Sequence, residues 1–302
     1  MKKLGFICGE YLSEKAEADS SIWVMDGDLA DSDGAEEFMI KHPKRYIAAG
    51  IAEQNMVSMA AGMAASGLRP WAFSFAAFLC YRAYDQIRVC VSQTGLPVVL
   101  VGSHAGGCSG RNGKTHTALN DIAVMASLPK INIWAPTDGN DTKLAIDMII
   151  ASKQPAYLRL PRDPQSTILQ SKEEVRWIGK PSKVALISYG ASTNWALEAQ
   201  RILLQQNIEV GVLHFCKIWP FSSEKIFELL KEVEVTFVVE DHYAIGGLAS
   251  LLAHCKFNIE MHSLCWPSGW SGQSGQSEVL LDHFHLSGSR IAEKIIEYLN
   301  QD

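Results

Sequence analysis

The segment LPVVLVGSH, residues 96–104, is apolar and rich in β-branched residues, with no polar interruption until its end. A strand with one wet face alternates between apolar and polar residues, whereas a parallel strand covered on both faces is apolar throughout. Helical patterns separate this segment from further short apolar runs. Those runs are SIWVMDGDL (21–29), YIAAG (46–50), INIWAPTD (131–138) and PAYLRLPR (155–162). The alternation predicts a doubly wound α/β domain, to which we assign residues 1–175.

A second pattern of the same kind occupies the rest of the chain. The polar segment DPQSTILQSKEEVRWIGKPSK (163–183) carries two prolines and reads as a linker. Beyond it, strand-like and helix-like patterns alternate again. The strand-like runs are KVALISYGAS (183–192), IEVGVLHFCKIWP (208–220) and EVTFVVEDH (234–242). The sequence therefore predicts a second, smaller doubly wound α/β domain at residues 180–302, with a Gly/Ser-rich loop at 267–279.

Charge and cysteine content exclude several functional classes. The formal net charge is −6 and no basic stripe is present, so nothing favours nucleic-acid binding. No apolar run reaches the length of about 20 residues that a membrane-spanning helix needs, and Glu10 interrupts the N-terminal apolar run too early for a signal peptide. Seven scattered cysteines are typical of reduced thiols. We expect a soluble, cytoplasmic protein with no nucleic-acid or membrane partner.

One acidic residue stands out in the stretch RYIAAGIAEQNMVSMAAGMAASG, residues 45–67. Glu53 is surrounded by small and apolar residues at the start of a predicted helix. The helix dipole favours an anion there, while burial without a partner disfavours it. An acid in the first helical turn is common and often only electrostatic, so spacing alone leaves both interpretations open.

Aromatic residues and a glycine-rich loop follow two of the predicted strands. Phe75, Phe78 and Tyr81 recur every three residues, which allows either core packing or a common contact with one flat ligand. The loop SHAGGCSGRNGKTH (103–116) follows the buried strand, where α/β proteins place ligand sites. His104, Cys108 and His116 could ligate a metal, but they lack a fourth ligand and paired spacing, so substrate contact by the histidines is favoured.

Taken in order, these elements resemble the C-terminal half of the transketolase family of thiamine diphosphate enzymes. The resemblance covers residues 5–300, and it is the ordered set of motifs that is specific. The matching segments are DGDLADS (26–32), GIAEQNM (50–56), FAAFLCYRAYDQIR (75–88), SHAGGCSGRNGKTH (103–116), LPRDP (160–164) and VEDHYAIGGLAS (239–250). The resemblance implies a pyrimidine-binding domain followed by the family's C-terminal domain, with thiamine diphosphate as the cofactor.

The resemblance assigns the cofactor contacts residue by residue. Glu53 matches the glutamate that hydrogen-bonds N1′ of the aminopyrimidine and so helps the neighbouring amino nitrogen to take the proton from C2 of the thiazolium. Phe75, Phe78 and Tyr81 match the aromatic pocket around the pyrimidine, and Phe78 is the best candidate for stacking. Asp28 and Leu29 match the pair beside the cofactor.

The substrate contacts are implied in the same way. His104 and His116 match substrate-facing histidines that handle hydroxyl and carbonyl groups, and with Glu53 they form the predicted catalytic set. Ser32 and Arg162 match residues that bind the phosphate of a sugar phosphate. Each also has an ordinary structural explanation, a helix cap for Ser32 and a surface ion pair for Arg162.

The family's diphosphate and magnesium motif, a Gly-Asp-Gly followed later by Asn, does not occur in the sequence. The segment DGDL (26–29) does not fit it. We therefore expect no metal ligands in this chain. An N-terminal transketolase subunit would hold Mg²⁺ and the diphosphate, in a dimer of heterodimers that is active only as a complex.

The loop before His116 also departs from the family pattern. Transketolases usually carry Glu-Asp-Gly there, and this chain carries Arg111, Asn112 and Gly113. The local charge changes from acidic to basic, and Arg111 could pair with a carboxylate or a phosphate. This predicts a specialised ketose or a different 2-oxo donor.

The leading interpretation is a subunit that transfers a two-carbon ketol unit between sugar-like substrates. The alternatives are the β subunit of a 2-oxoacid dehydrogenase or decarboxylase, and a non-catalytic assembly subunit. Retention of Glu53 with the aromatic triplet argues against the last. We expect the segment Glu240, Asp241 and His242 to be structural or dimer-contacting.

Overall fold

The computed structural model describes residues 2–108, 110–165, 173–255, 257 and 259–300. Ser109 of the glycine-rich loop and residues 166–172 of the predicted linker lie outside these ranges. The described chain forms two sheets flanked by helices, which confirms the predicted α/β fold. The helices are α1 Leu4–Ala18, α2 Ala30–Asp33, α3 Glu36–Lys41, α4 Glu53–Ala65, α5 Tyr84–Gln86, α6 Asp121–Ala126, α7 Gly139–Ser152, α8 Ser192–Gln205, α9 Ser223–Leu230, α10 Leu248–Ala253, α11 Ser277–His283 and α12 Gly288–Leu299.

The first sheet has seven strands in the order β10-β5-β6-β4-β3-β1-β2. All neighbours are parallel except β10, which runs antiparallel to β5. The strands are β1 Ile22–Asp26, β2 Tyr46–Ala48, β3 Arg69–Phe75, β4 Val99–Ala105, β5 Asn132–Trp134, β6 Ala156–Pro161 and β10 Lys217–Trp219.

Both faces of this sheet are covered. On one face, Val24 and Phe73 pack in a core with Leu12 of α1 and Ile146 of α7. On the other, residues such as Ala72 pack with buried residues of α4 and α6. This two-sided burial explains why β4 is apolar along its whole length.

The second sheet has five strands in the order β12-β11-β8-β9-β7. They are parallel except β7, which runs antiparallel to β9. The strands are β7 Val175–Ile178, β8 Val184–Tyr189, β9 Gly211–Phe215, β11 Val235–Tyr243 and β12 Glu260–Trp266. One core cluster contains buried residues from both sheets, so the two halves of the chain pack through a shared apolar interior.

Two segments differ from the elements expected from their patterns. The single strand expected at 208–220 is divided into β9 and β10, which belong to different sheets. Periodicity cannot reveal that a strand passes from one sheet to the other. The helical pattern that precedes β4 is wound partly as π-helix, at Phe78–Arg82 and Ile87–Ser92. Such wider turns are often found at functional sites.

Candidate functional site

The predicted site residues meet at one edge of the first sheet. Phe75 ends β3 and His104 lies near the end of β4, while Asp28 and Arg162 follow β1 and β6. Glu53 follows β2 and opens α4. Since β6, β4, β3, β1 and β2 are successive neighbours, parallel strands bring these five positions to their common carboxyl edge.

The carboxylate of Glu53 is fully buried and has two side-chain partners. The Ser74 hydroxyl donates to Oε1 at 3.2 Å, and Arg82 donates from a guanidinium nitrogen to Oε2 at 2.7 Å. The backbone at Gly27 lies beside the same carboxylate. Because an unpaired buried carboxylate is costly, the ion pair with Arg82 helps to explain how Glu53 can be buried here.

Two of the predicted aromatic residues face the loop histidines. Phe75 and Phe78 stack with ring centroids 5.6 Å apart. The His104 ring lies 4.1 Å from Phe75, and the His116 ring lies edge-on to Phe78 at 5.0 Å. Tyr81 is more exposed, and its hydroxyl donates to the side chain of Asn120. The four rings therefore form a cluster beside Glu53, with Tyr81 at its outer side.

Burial keeps both histidines in their neutral form near neutral pH. Burial, with the nearby charges of Arg162 and Lys3, lowers the pKa of His104 to about 3. Burial and the charge of Arg82 lower the pKa of His116. A neutral imidazole has one donor and one acceptor nitrogen. Each ring can therefore contact a hydroxyl or a carbonyl without carrying charge.

The segment after β1 forms a tight turn near these rings. Asp28 is exposed and has a φ of 71°, and the amide of Leu29 donates to Asp26 Oδ1 at 2.8 Å. The hydroxyl of Ser32 donates to the side chain of Asp31 at 3.1 Å within α2. The turn thus presents Asp28 outward while a buried carboxyl holds its backbone.

The carboxyl that holds this turn has an acidic neighbour. Asp26 and Asp33 are both buried, and burial raises both pKa values, that of Asp33 well above its usual range because the Asp26 charge adds to the effect. Two carboxyls in such a place share a proton more readily than they both ionise. Sequence reasoning did not predict this pair, although Asp26 opens the quoted segment DGDLADS and Asp33 directly follows it.

The basic residues of the site lie toward its exterior. Arg162 is partly buried and pairs with Asp163 at 2.9 Å. The side chains of Arg111 and Asn112 are exposed, and the Arg111 carbonyl accepts a hydrogen bond from Ser274 at 2.9 Å. The Gly/Ser-rich segment after β12 therefore contacts the loop that carries these residues.

The second domain holds the start of the glycine-rich loop. Asp241, at the end of β11, accepts hydrogen bonds from the Gly107 amide at 2.9 Å and from the Trp266 indole at 2.8 Å. A Cβ on Gly106 would overlap the Asp241 carboxylate, and one on Gly107 would overlap the Trp266 ring. These glycines are therefore needed where the second domain approaches the backbone next to His104.

A fully buried arginine lies behind the same contact. Arg159 donates to Asp121 at 2.8 Å and to the Asp241 carbonyl at 2.8 Å. Next to Asp241, Glu240 accepts from the amides that open α10, and burial raises its pKa to about 8. Asp241 thus connects the end of β11 to the loop of the first domain. The sequence analysis expected residues 240–242 to be structural or dimer-contacting and did not specify this contact.

A cluster with metal-ligand residue types occurs elsewhere. Among the described residues, Asp141, His214 and Cys216 bring their ligand atoms within 4.8 Å of one another. His214 lies 2.7 Å from Asp141, and Arg176 donates to the same carboxylate at 2.5 Å. Because the guanidinium already balances the carboxylate charge, the arrangement is that of a buried ion-pair network between the two domains.

Sequence reasoning missed Arg82 and Asp241 as residues of the site. Arg82 lies in the quoted segment FAAFLCYRAYDQIR, and its signal was a cation one to seven residues from the aromatic set, which has no fixed meaning in sequence alone. The part of the chain that the structure describes contains no helix long and apolar enough to cross a membrane.

Family models match most of the chain. The model described as "Transketolase, pyrimidine binding domain" matches residues 3–165, and the one described as "Transketolase, C-terminal domain" matches residues 173–291. Together they include every residue of the candidate site.

Individual relatives point to the same family. The chain is 34% identical to a "putative transketolase C-terminal section" of Methanocaldococcus jannaschii, over 97% of this chain and 95% of that protein. It is 33% identical to the "6-deoxy-6-sulfo-D-fructose transketolase subunit SqwH" of a Clostridium species, over 82% and 78%. It spans about half the length of other curated relatives that it matches.

A solved structure supports the same grouping. The protein titled "Split gene transketolase, inactive beta4 tetramer" superposes with a TM-score of 0.88 and 26% identity, over 99% of each chain.

Proposed function

This chain belongs to the transketolase family, and from that premise we propose that it is the C-terminal subunit of a thiamine diphosphate-dependent enzyme that transfers a two-carbon ketol unit between sugar-like substrates. The observation that supports this most directly is the fully buried Glu53 beside the Phe75–Phe78 rings. A β subunit of a 2-oxoacid dehydrogenase is not favoured, because the relatives named above carry transketolase names.

The residues present fit an aminopyrimidine. Such a ring needs a carboxylate partner for N1′ and an aromatic face to stack on, and Glu53 and Phe78 supply both types of group in one place. Asp28 and Leu29 lie in the turn after β1 at the same edge. We assign Glu53, Phe75, Phe78, Asp28, Leu29 and Tyr81 to the cofactor, with Tyr81 at the outer side of the pocket.

When bound, thiamine diphosphate supplies a thiazolium carbon that can hold the two-carbon unit. In our proposal Glu53 exchanges a proton at N1′ of the cofactor. His104 and His116 act as catalytic residues at the substrate hydroxyl and carbonyl, donating or accepting a proton as neutral imidazoles. The rings of Phe75 and Phe78 exclude water from the region between Glu53 and the histidines.

The substrate is proposed to carry an anionic group. Arg162 and Ser32 would bind it, and Arg111 and Asn112 add a basic, polar edge that family members with an acidic pair lack. An arginine fork binds a phosphate, carboxylate or sulfonate through paired hydrogen bonds. The Clostridium relative is named for a sulfonated ketose, which makes ketoses with alternative anions worth testing. Efficient turnover of ordinary xylulose 5-phosphate would contradict the specialised donor.

A partner chain completes the proposed enzyme. The relative named a C-terminal section matches over 95% of its length and the split-gene transketolase over 99%, so we propose that an N-terminal subunit holds Mg²⁺ and the diphosphate. Helix α4 presents an outward face with exposed Met59 and an open position at Gly62, and Ile51 just before it is 75% exposed. We place a subunit contact there, in a dimer of heterodimers.

A cytoplasmic location belongs to the same proposal. It is supported by the seven cysteines, all of which are free, as expected in a reducing compartment.

The test is cofactor binding with and without the partner. We would measure thiamine diphosphate binding by calorimetry in the presence of Mg²⁺, first with this chain, then with the chain co-purified with its N-terminal subunit. Ketol transfer to an aldose acceptor would then be assayed with a panel of ketose donors. We expect tight binding and activity only in the mixture. Binding by this chain alone would overturn the shared site, and no binding in either sample would overturn the function.

A further inference from the structure

Arg82 makes two contacts inside the candidate site. One guanidinium nitrogen lies 2.7 Å from Glu53 Oε2, and the central guanidinium carbon lies 4.5 Å from the centre of the Phe78 ring. A flat cation therefore lies against the ring and bonds the buried carboxylate at the same time.

These are the same two partners that the proposed function gives to the aminopyrimidine, so the inference rests on that function. The aminopyrimidine is also flat, stacks on Phe78, and places one ring nitrogen on Glu53. The proposed function puts the aminopyrimidine against the same ring and carboxylate that Arg82 contacts, where two planar groups would overlap.

The chemistry of the pair points the same way. A guanidinium stays protonated in proteins, so Arg82 can neutralise Glu53 but cannot exchange a proton with it. The role proposed for Glu53 requires proton exchange with a ring nitrogen. The ion pair with Arg82 therefore suits the cofactor-free state and opposes the catalytic one.

The Arg82 guanidinium can also leave the ion pair with Glu53 and move into solvent. Its side chain is 44% exposed, whereas that of Glu53 is fully buried. The backbone around it is held by the buried Cys80 and by the bond from Tyr81 to Asn120. The guanidinium can swing into water without moving the π-helical turn Phe78–Arg82, and hydration compensates the charge when it does.

We propose that Arg82 is a placeholder: in the cofactor-free chain its guanidinium occupies the aminopyrimidine's position on Glu53 and Phe78, and cofactor binding displaces it toward solvent. Arg82 thus supplies the only cation bonded to this buried carboxylate among the described residues, beside the Ser74 hydroxyl, and it competes with the cofactor for the carboxylate. Its departure also removes a positive charge near His116, whose pKa it helps to lower.

The test measures the affinity of the reconstituted two-subunit complex for thiamine diphosphate by calorimetry with Mg²⁺. Arg82→Met removes the competitor, so we expect the Kd to fall about threefold to fivefold, the factor that a half-exposed ion pair typically provides. Arg82→Lys keeps the charge without the flat surface and should fall between the two. A Kd that rises in Arg82→Met would show that Arg82 anchors the cofactor, and an unchanged Kd would show that it does not compete; either result overturns the proposal.

Arg88→Met is the matched control. Arg88 lies six residues away, is 43% exposed, and pairs with Asp85 at 2.6 Å. Its loss should leave the Kd unchanged. If Arg82→Met does not fold, Arg82→Gln replaces it.

Cofactor binding by the wild-type complex distinguishes a failure of the placeholder proposal from a failure of the proposed function. Measurable binding by wild type with an unimproved Arg82→Met overturns only the placeholder. No binding by the wild-type complex overturns the proposed function, and the placeholder with it.

Discussion

Two buried carboxylates in this chain bond arginines at nearly equal distances, yet the two pairs differ in where the arginine lies. Glu53 bonds Arg82 at 2.7 Å and Asp121 bonds Arg159 at 2.8 Å. Arg159 is 1% exposed and also bonds the Asp241 carbonyl, whereas Arg82 is 44% exposed. Burial of the carboxylate alone therefore does not distinguish a structural pair from a functional one. The exposure of its partner does, because only an exposed arginine can leave at low cost.

The largest expected effect comes from removing the carboxylate of Glu53, the residue of the pair to which we propose a catalytic role. Glu53→Gln keeps the shape of the side chain but cannot exchange a proton, and a positioned acid or base contributes about 10²–10⁴-fold to rate. We expect a loss of that size in ketol transfer by the reconstituted complex, measured as kcat. Co-purification with the partner should be unchanged, because Glu53 is not on the subunit surface.

Glu228→Gln is the matched control for that change. Glu228 pairs with Lys231 on the surface at 2.6 Å and belongs to α9, outside the candidate site. It should leave kcat within twofold. A Glu53→Gln enzyme that keeps more than a tenth of wild-type activity would place the proton exchange elsewhere.

Removing either arginine should lower the free energy of unfolding, by a large amount for Arg159 and by a small amount for Arg82. Arg159→Met leaves Asp121 and Asp241 buried without their cation, which typically costs about 3–5 kcal/mol. Arg82→Met removes a cation that is 44% exposed, and Glu53 keeps the Ser74 hydroxyl, so we expect a clearly smaller loss than for Arg159→Met. Urea unfolding of both variants beside wild type measures the difference. Equal losses would mean that both pairs are structural.

The fold was largely predictable because its signals are local. Uninterrupted β-branched runs separated by amphipathic segments are set by burial on both faces of a sheet, as at β4. The division of residues 208–220 between two sheets was not predictable, because it depends on how the domains pack. The domain limits at 175 and 180 stay a prediction, with β7 at Val175–Ile178 already part of the second sheet.

The candidate site was predictable where a motif carried it. The resemblance selected Glu53, Phe75, Phe78, His104 and His116, and the structure brings them to one edge. Their roles stay predictions. Arg82 and Asp241 were missed because their importance comes from contacts with other segments, of Arg82 with Glu53 and of Asp241 with Gly107 and Trp266. Trp266 reaches the glycine-rich loop from about 160 residues away, and no spacing rule encodes such a contact.

The contact between the domains should affect substrate handling more than cofactor binding. Trp266→Phe keeps most of the ring but loses the indole bond to Asp241, and a hydrogen bond to a charged group contributes about 1.5–3 kcal/mol. We expect a stability loss in that range. Because Asp241 also holds the Gly107 amide, kcat/KM should fall while the Kd for thiamine diphosphate stays unchanged. A rise in the Kd would instead extend the cofactor site to the second domain.

The smallest expected effect concerns the pH dependence of stability. It comes from His104, a neutral side chain that is buried in the site with no ionic partner among the described residues. Its pKa is lowered to about 3 in the folded chain, first by burial and then by Arg162 and Lys3, whereas an unfolded histidine titrates near 6.5. Between these values the unfolded state binds more protons. The stabilisation that neutral His104 provides is therefore complete above about pH 6.5 and is lost as the pH falls toward 3. From pH 7.5 to 5 this linkage amounts to at most about 2 kcal/mol.

His104→Asn removes the titration, so urea unfolding should show a smaller loss between these two pH values than in wild type. An equal loss would mean that folded His104 takes up a proton as readily as the unfolded one, and the imidazole could then enter the reaction in its charged form.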